Sequence, residues 1–191
     1  MLTCRLSCHT ASPCSELIDL KAAAKLDQQG NLALHYCLSG NLAKIKIPDP
    51  EPLGVLDGLW EHTCFEAFIA VEGEAHYQEF NFSPSGCYAA YRFSAYRQRA
   101  KSQPKASPDS IFLTKKRYCQ LQASIPAGDL PENPSQKPFQ LGLSAVVELQ
   151  NGRKTYWALQ HSSEQPDFHQ RSSFSLSLNP HESLYADKMR D

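Results

Sequence analysis

The sequence predicts an all-β protein, an antiparallel β-sandwich of about ten strands with jelly-roll or immunoglobulin-like layering. Three observations carry that expectation. Short runs rich in β-branched and aromatic residues recur along the chain, each bounded by Gly, Pro, Asn or Asp. Gln29-Gly30-Asn31 and Asn151-Gly152 read as tight hairpin turns, because both supply residues that tolerate positive φ. No long amphipathic pattern of helical period competes with these signals.

Taken in order, strands are expected near 16–21, 31–39, 42–47, 62–71, 75–83, 87–96, 111–114, 117–125, 138–149, 154–161 and 173–178. Residues 1–14 read as a loosely attached segment of a single domain spanning 1–191. Lys21 to Leu26 has the alanines and lysines of a short helical turn, ended at once by Asp27-Gln28-Gln29-Gly30. Pro48-Asp49-Pro50-Glu51-Pro52 is a stiff connection, and Gln98 to Ser110 reads as a polar, mobile loop. Pro126 to Pro138 holds four prolines, too many for a central strand. Trp157, at strand spacing, is expected in the core.

Composition narrows the function classes. The 191 residues include 19 basic and 20 acidic side chains, for a formal net charge of −1. Such balance offers no phosphate-tracking surface, so nucleic acid is not an expected partner. No apolar run approaches the roughly 20 residues that span a bilayer, so no membrane partner is expected. The first residues lack an apolar stretch of signal-peptide length, and a cytoplasmic location is expected. The seven cysteines then read as reduced thiols, with Cys37, Cys64 and Cys119 inside apolar runs. The spacing of Cys4, Cys8, His9 and Cys14 does not match paired zinc knuckles, so no metal is expected there.

The densest chemistry lies in Trp60-Glu61-His62-Thr63-Cys64-Phe65-Glu66-Ala67-Phe68-Ile69, followed by Tyr77-Gln78-Glu79-Phe80-Asn81-Phe82-Ser83-Pro84. Side chains alternate along a strand. Phe65, Ala67, Ile69, Phe80 and Phe82 therefore form an apolar face, while Glu66, Tyr77, Glu79 and Asn81 share the other. A Glu72-Gly73 turn sets Glu66 opposite Glu79, and a Gly73-Glu74 turn makes them diagonal. Both registers keep the carboxylates on one face. Carboxylates and amides make paired hydrogen bonds to vicinal hydroxyls, and rings such as Trp60 cover the apolar faces of sugars. The same pair could serve a hard cation, or be neutralised by Arg92 and Arg97 in a cross-strand network.

A second constellation, His161-Ser162-Ser163-Glu164-Gln165-Pro166-Asp167-Phe168-His169, offers His161, Asp167 and His169 as ligand contacts or as an acid–base set. Its bland reading is a Pro-Asp turn with satisfied histidines.

In combination these residues resemble a known group. Trp60-Glu61-x-x-Cys64-x-Glu66-x-Phe68-Ile69, Tyr77-x-Glu79-x-Asn81-Phe82-Ser83-Pro84-x-Gly86, the Tyr- and Arg-rich run after it, and Pro166-Asp167-Phe168-His169 are similar to DOMON-like domains and to family 9 carbohydrate-binding modules. The resemblance spans roughly 40–180 and implies a β-sandwich that binds sugars or, in one branch, haem through Met and His. Met1 and Met189 are the only methionines, so no cofactor is expected. The expected function is non-catalytic binding of a small polar ligand, such as a sugar or sugar derivative, by Trp60, Glu66, Tyr77, Glu79, Asn81, Arg92, His161, Asp167 and His169. The alternatives are a hydrolase or lyase pairing the glutamates with the Pro-Asp-Phe-His loop, which requires that loop to fold over the glutamates, and a protein-interaction module without a small ligand.

Overall fold

The computed structural model describes residues 2–15, 18–104 and 106–180. Its strands are β1 (Leu2–Cys8), β2 (Asp19–Leu26), β3 (Leu32–Ser39), β4 (Cys64–Val71), β5 (Tyr77–Phe82) and β6 (Tyr88–Ala95). They continue with β7 (Gln98–Arg99), β8 (Asp109–Thr114), β9 (Tyr118–Ile125), β10 (Phe139–Glu148), β11 (Lys154–Ala158) and β12 (Leu176–Leu178). Every strand pairing is antiparallel. The hydrogen-bonded order is β7-β6-β5-β4-β10-β11-β1-β2-β3-β9-β8, with β12 added to β10. This continuous sheet folds into two facing layers, the expected sandwich. Among the described residues no helix is long and apolar enough to cross a membrane.

Alternation places the core. Leu32, Leu34, Tyr36 and Leu38 of β3 and Cys119, Leu121, Ala123 and Ile125 of β9 point inward from one layer. Phe65, Ala67, Ile69, Phe80, Phe82, Leu141, Leu143, Ala145 and Val147 meet them from the other. Each leucine, isoleucine, valine or phenylalanine among them contributes about 1.5–3 kcal/mol when fully buried. The buried Tyr36 hydroxyl donates to the Glu66 carbonyl at 2.7 Å, which ties the layers together without an unmet polar group. Trp157 is buried in this core, its indole N–H donating to Thr155 Oγ1 at 2.9 Å.

Several expectations are corrected. The segment 1–14 is not loosely attached: Leu2 to Leu6 of β1 pair with β2, and Ser7 and Cys8 pair with β11. Lys21 to Leu26 is strand, not a helical turn. Its propensity yields to hydrogen-bonded neighbours on both sides, with Leu20, Ala22 and Ala24 buried and Lys21 exposed. The run 42–47 forms a 3-10 turn at Leu42–Lys44. Pro48 ends it too soon for a ladder; Ile45 is buried in the core and bridges Leu149, with Leu42 and Ile47 packed half-buried against it. Within the expected loop 98–110, Gln98 and Arg99 pair with β6, and Asp109 and Ser110 begin β8.

The amino-terminal cysteine cluster has a structural role for its histidine. His9 is buried, its Nδ1 accepting from the Ala11 N–H at 3.0 Å and its Nε2 lying 3.1 Å from the Ser163 carbonyl. With Nδ1 an acceptor, Nε2 carries the proton and donates to Ser163. Among the described residues no group of three or more His, Cys, Asp or Glu is placed to hold a metal ion.

Candidate functional site

The β4–β5 hairpin adopts the Gly73-Glu74 register. Glu66 stands opposite Asn81 and Phe68 opposite Glu79, so the two carboxylates are diagonal neighbours. Gly73 takes a positive φ of 81° in the turn, a conformation that glycine reaches without strain. On the other side of β4, Ser144 of β10 pairs with Glu66 and Gly142 with Phe68. On the far side of β5, Ala89 pairs with Asn81, Tyr91 with Glu79 and Phe93 with Tyr77. Two rows thus cross the sheet, Ala158-Ser144-Glu66-Asn81-Ala89 with a polar centre and, next to it, Gly142-Phe68-Glu79-Tyr91.

This outer face is neither flat nor fully solvated. The 3-10 turn Leu59–Glu61, entered through Gly58 at φ 77°, carries Trp60 over one side. The segment 166–174 closes the other side with Phe168, His169 and Phe174, which pack on Phe68, Tyr77 and Phe93. Between them lies a cleft of about 740 Å³, within the range of small-molecule sites. Glu66, Phe68, Glu79 and Val146 form its floor. Trp60, Phe93, Tyr156 and Phe168 supply walls, while Glu61, Arg97, Arg99 and Lys154 stand at the rim.

The floor is electrostatically unusual. Glu66 is 3% and Glu79 5% exposed. Burial, reinforced by the neighbouring Glu79, holds the Glu66 carboxyl well above the usual carboxylate range. Burial also pushes Glu79 up to about 7, against the opposing pull of the Asn81 amide and of Arg99 and Arg97. Asn81 Nδ2 donates to Glu79 Oε1 at 2.8 Å. Glu66 Oε1, Asn81 Oδ1 and Ser144 Oγ are buried and have no hydrogen-bond partner among the described residues. Three adjacent strands therefore line up three unmet polar atoms in one row, where such atoms are costly to leave unpaired.

His169 sits over Glu79, with Nε2 3.8 Å from Oε2. Burial, with Arg97 nearby, pushes His169 down to about 4, so near neutral pH its Nδ1 accepts from the Tyr77 hydroxyl at 2.9 Å. Tyr77 Oη in turn accepts the Arg97 backbone N–H at 3.1 Å. Arg97 adopts φ 54°, rare for a residue with a Cβ, and its guanidinium donates to Asp167 Oδ1 at 2.8 Å. Burial acts upward on Asp167, but hydrogen bonds from Tyr96 and Arg97 hold it below its ordinary value. Asp167 also accepts the His169 N–H at 3.1 Å. It thereby fixes the loop that lays His169 over the floor.

The structure thus brings together Trp60, Glu66, Tyr77, Glu79, Asn81, Asp167 and His169, with Asp167 behind the lining and Tyr77 and Asn81 beneath it. Two predicted residues fall elsewhere. Arg92 pairs with Gln78, on the opposite face of the sheet from the glutamates, because the three-residue loop Pro84–Gly86 sets the β5–β6 register. His161 is turned away, its Nε2 2.8 Å from the Ser7 carbonyl and its ring edge-on to His9 at 4.6 Å. The cross-strand arginine network, the alternative reading of the glutamates, does not form: among the described residues neither glutamate makes an ion pair with an arginine. The Pro-Asp-Phe-His loop folds over the glutamates through His169 alone, since Asp167 is held by Tyr96 and Arg97 and His161 lies elsewhere, so the three do not converge as an acid–base set. Arg99, Lys154, Tyr156, Phe168 and Ser144 were missed. Arg99 lies over Tyr91, 4.1 Å from the ring centroid, and within 5.8 Å of Trp60.

Comparison with protein-family models and with curated proteins gives no sequence match. Solved structures do match. A protein from Bacteroides uniformis, proposed to bind carbohydrate, superposes with a TM-score of 0.65 at 17% identity, over 94% of this chain and 86% of that one. A family 9 carbohydrate-binding module from Caldicellulosiruptor kristjanssonii in complex with glucose gives 0.52 at 9% identity, over 91% and 83%. The module in complex with cellotriose gives 0.51 at 10%, over 91% and 80%. At these identities the likeness is one of fold, and the fold is like that of family 9 modules.

Proposed function

We propose that the chain is a carbohydrate-binding module that holds a small sugar or sugar derivative in the cleft above Glu66 and Glu79, as a DOMON-like relative of the family 9 modules. The observation that carries this reading is the buried Glu66 carboxyl on the floor of an aromatic-walled cleft, its Oε1 unmet and the unmet Ser144 Oγ and Asn81 Oδ1 beside it in the same row beneath the lining. Vicinal hydroxyls, each donor and acceptor at once, suit the Glu66 and Glu79 carboxyls of the floor and the His169 ring above them. A protonated Glu66 donates as well as accepts, and Glu79 with His169 offers a second acceptor–donor pair 3.8 Å apart. Trp60 and Phe168 supply the apolar surface on which a pyranose face packs. The sugar complexes of structural neighbours support the choice of ligand class.

The test is a thermal-shift and calorimetric panel of neutral mono- and oligosaccharides, glucose and cellotriose included. A ligand at 100 times its Kd stabilises the fold by about 2.7 kcal/mol. Trp60→Ala should weaken that ligand at least ten-fold while the chain stays folded. A panel without any stabilising sugar, or a sugar bound equally by Trp60→Ala, overturns the reading.

A further inference from the structure

Arg92 does not join the glutamates, and its actual surroundings form a second site. On the opposite face of the same strands, Arg92 of β6 stands in register with Gln78 of β5. Gln78 is 2% exposed, and its side-chain carbonyl Oε1 has no hydrogen-bond donor among the described residues. A buried amide oxygen left unmet is costly. The Arg92 guanidinium is also unengaged among the described residues; its backbone is held instead, the N–H by Gln103 Oε1 at 2.9 Å and the carbonyl by the Ala100 N–H at 2.8 Å. Both side chains line a cleft of about 430 Å³, distinct from the first, between these strands and the proline-rich segment after Leu130. Lys137 reaches in from that segment. Its Nζ stands 3.6 Å from where a Cβ on Gly73 would lie, and it forms no ion pair among the described residues. Of the other charged groups facing the cleft, Glu74 leans towards His76 at 3.9 Å, and Glu132 lies on the proline segment.

We propose that this second cleft binds a small polyhydroxylated carboxylate, a sugar acid. The ligand's carboxylate would lie between Arg92 and Lys137, and an adjacent hydroxyl would donate to Gln78 Oε1. The donor set selects this class. Two unpaired cations call for an anion, and a planar guanidinium matches a carboxylate in bidentate fashion. The Gln78 oxygen calls for a donor close to that anion, which a simple carboxylate such as acetate lacks. A neutral sugar would meet Gln78 and leave both cations unused. The volume suits one sugar-acid ring.

The test follows the Gln78 side-chain amide signals of the full ¹⁵N-labelled chain during titration with glucuronate, with glucose and acetate as comparisons. Glucuronate should shift these signals saturably, and glucose and acetate should bind at least ten-fold more weakly there. Arg92→Gln, and to a lesser degree Lys137→Gln, should lower glucuronate affinity, by ten-fold or more in the first case. Both variants should melt like the wild type, and Trp60→Ala should leave this binding unchanged. Gln78 signals that ignore glucuronate, or respond equally to glucose, overturn the proposal. So does an affinity that Arg92→Gln leaves intact. Glucuronate binding lost in Trp60→Ala and kept in Arg92→Gln would assign the sugar acid to the first cleft instead.

Discussion

Replacing Glu79 with glutamine tests the electrostatics of the cleft floor most directly. Burial lifts the Glu79 carboxyl from an ordinary value of 4.5 to about 7. Between those two pH values the folded chain holds a proton at Glu79 that the unfolded chain has released. Stability from this group is therefore complete below pH 4.5 and is lost as pH rises through 7. At 1.36 kcal/mol for each pKa unit, the full loss is about 3 kcal/mol. Glutamine copies the shape of the protonated acid and never ionises, so it keeps an oxygen for Asn81 Nδ2. Glu79→Gln should match the wild type near pH 4.5 and exceed it by up to about 3 kcal/mol at pH 8. Equilibrium urea unfolding at half-unit pH steps measures the difference. His169, pushed down to about 4, works in the other direction: its burial as a neutral ring costs stability that is regained as pH rises from 4 to 6.5. That contribution is common to both chains and cancels in the difference. A difference that stays flat from pH 5 to 8, or favours the wild type at high pH, would refute the assignment of a buried, proton-holding carboxyl.

Two further outcomes are expected. Tyr77→Phe removes the acceptor of the Arg97 N–H and the partner of His169 Nδ1, and should cost about 1–3 kcal/mol in chemical denaturation; a change within experimental error would show that water replaces the hydroxyl freely. Gly142→Ala would set a methyl 2.9 Å from Phe174 Cδ1, against a ring packed on Phe68 and Tyr77. The overpacking should cost about 1–3 kcal/mol by the same assay and move the aromatic resonances of Phe174, whereas a silent substitution would mean the 166–174 segment is not seated on the sheet.

Much of this was legible in the residues. Alternation alone separated Phe65, Ala67 and Ile69 from Glu66 and Phe68, because a strand's period is fixed at two. The same rule made the shared face of Glu66 and Glu79 independent of hairpin register. Arg92 was misplaced for a related reason. Its face depends on the number of residues in the β5–β6 loop, and changing that number by one flips the whole strand. Pro84-Ser85-Gly86, with Gly86 at φ 99°, was the available signal for a three-residue turn. The cleft walls were harder to foresee. Phe168 and His169 lie on irregular chain, whose position over the sheet is set by Asp167 holding Tyr96 and Arg97, and no periodicity encodes such a contact. Arg99 was hidden in a polar stretch whose two-residue strand is too short to carry a pattern. At β1 and β2 the local preference pointed the wrong way and pairing on both sides overrode it.

The double allegiance of β1 has a consequence for how the chain comes into being. Its first half finds β2 within a few residues, but Ser7 and Cys8 need Ala158 and Trp157, which leave the ribosome some 150 positions later. Until then Ser7 and Cys8 lack their partners and leave unpaired backbone groups at that end of β1, a template for pairing with other chains. Neither layer of the sandwich is closed before β11 arrives, so vectorial synthesis cannot complete the protein piece by piece.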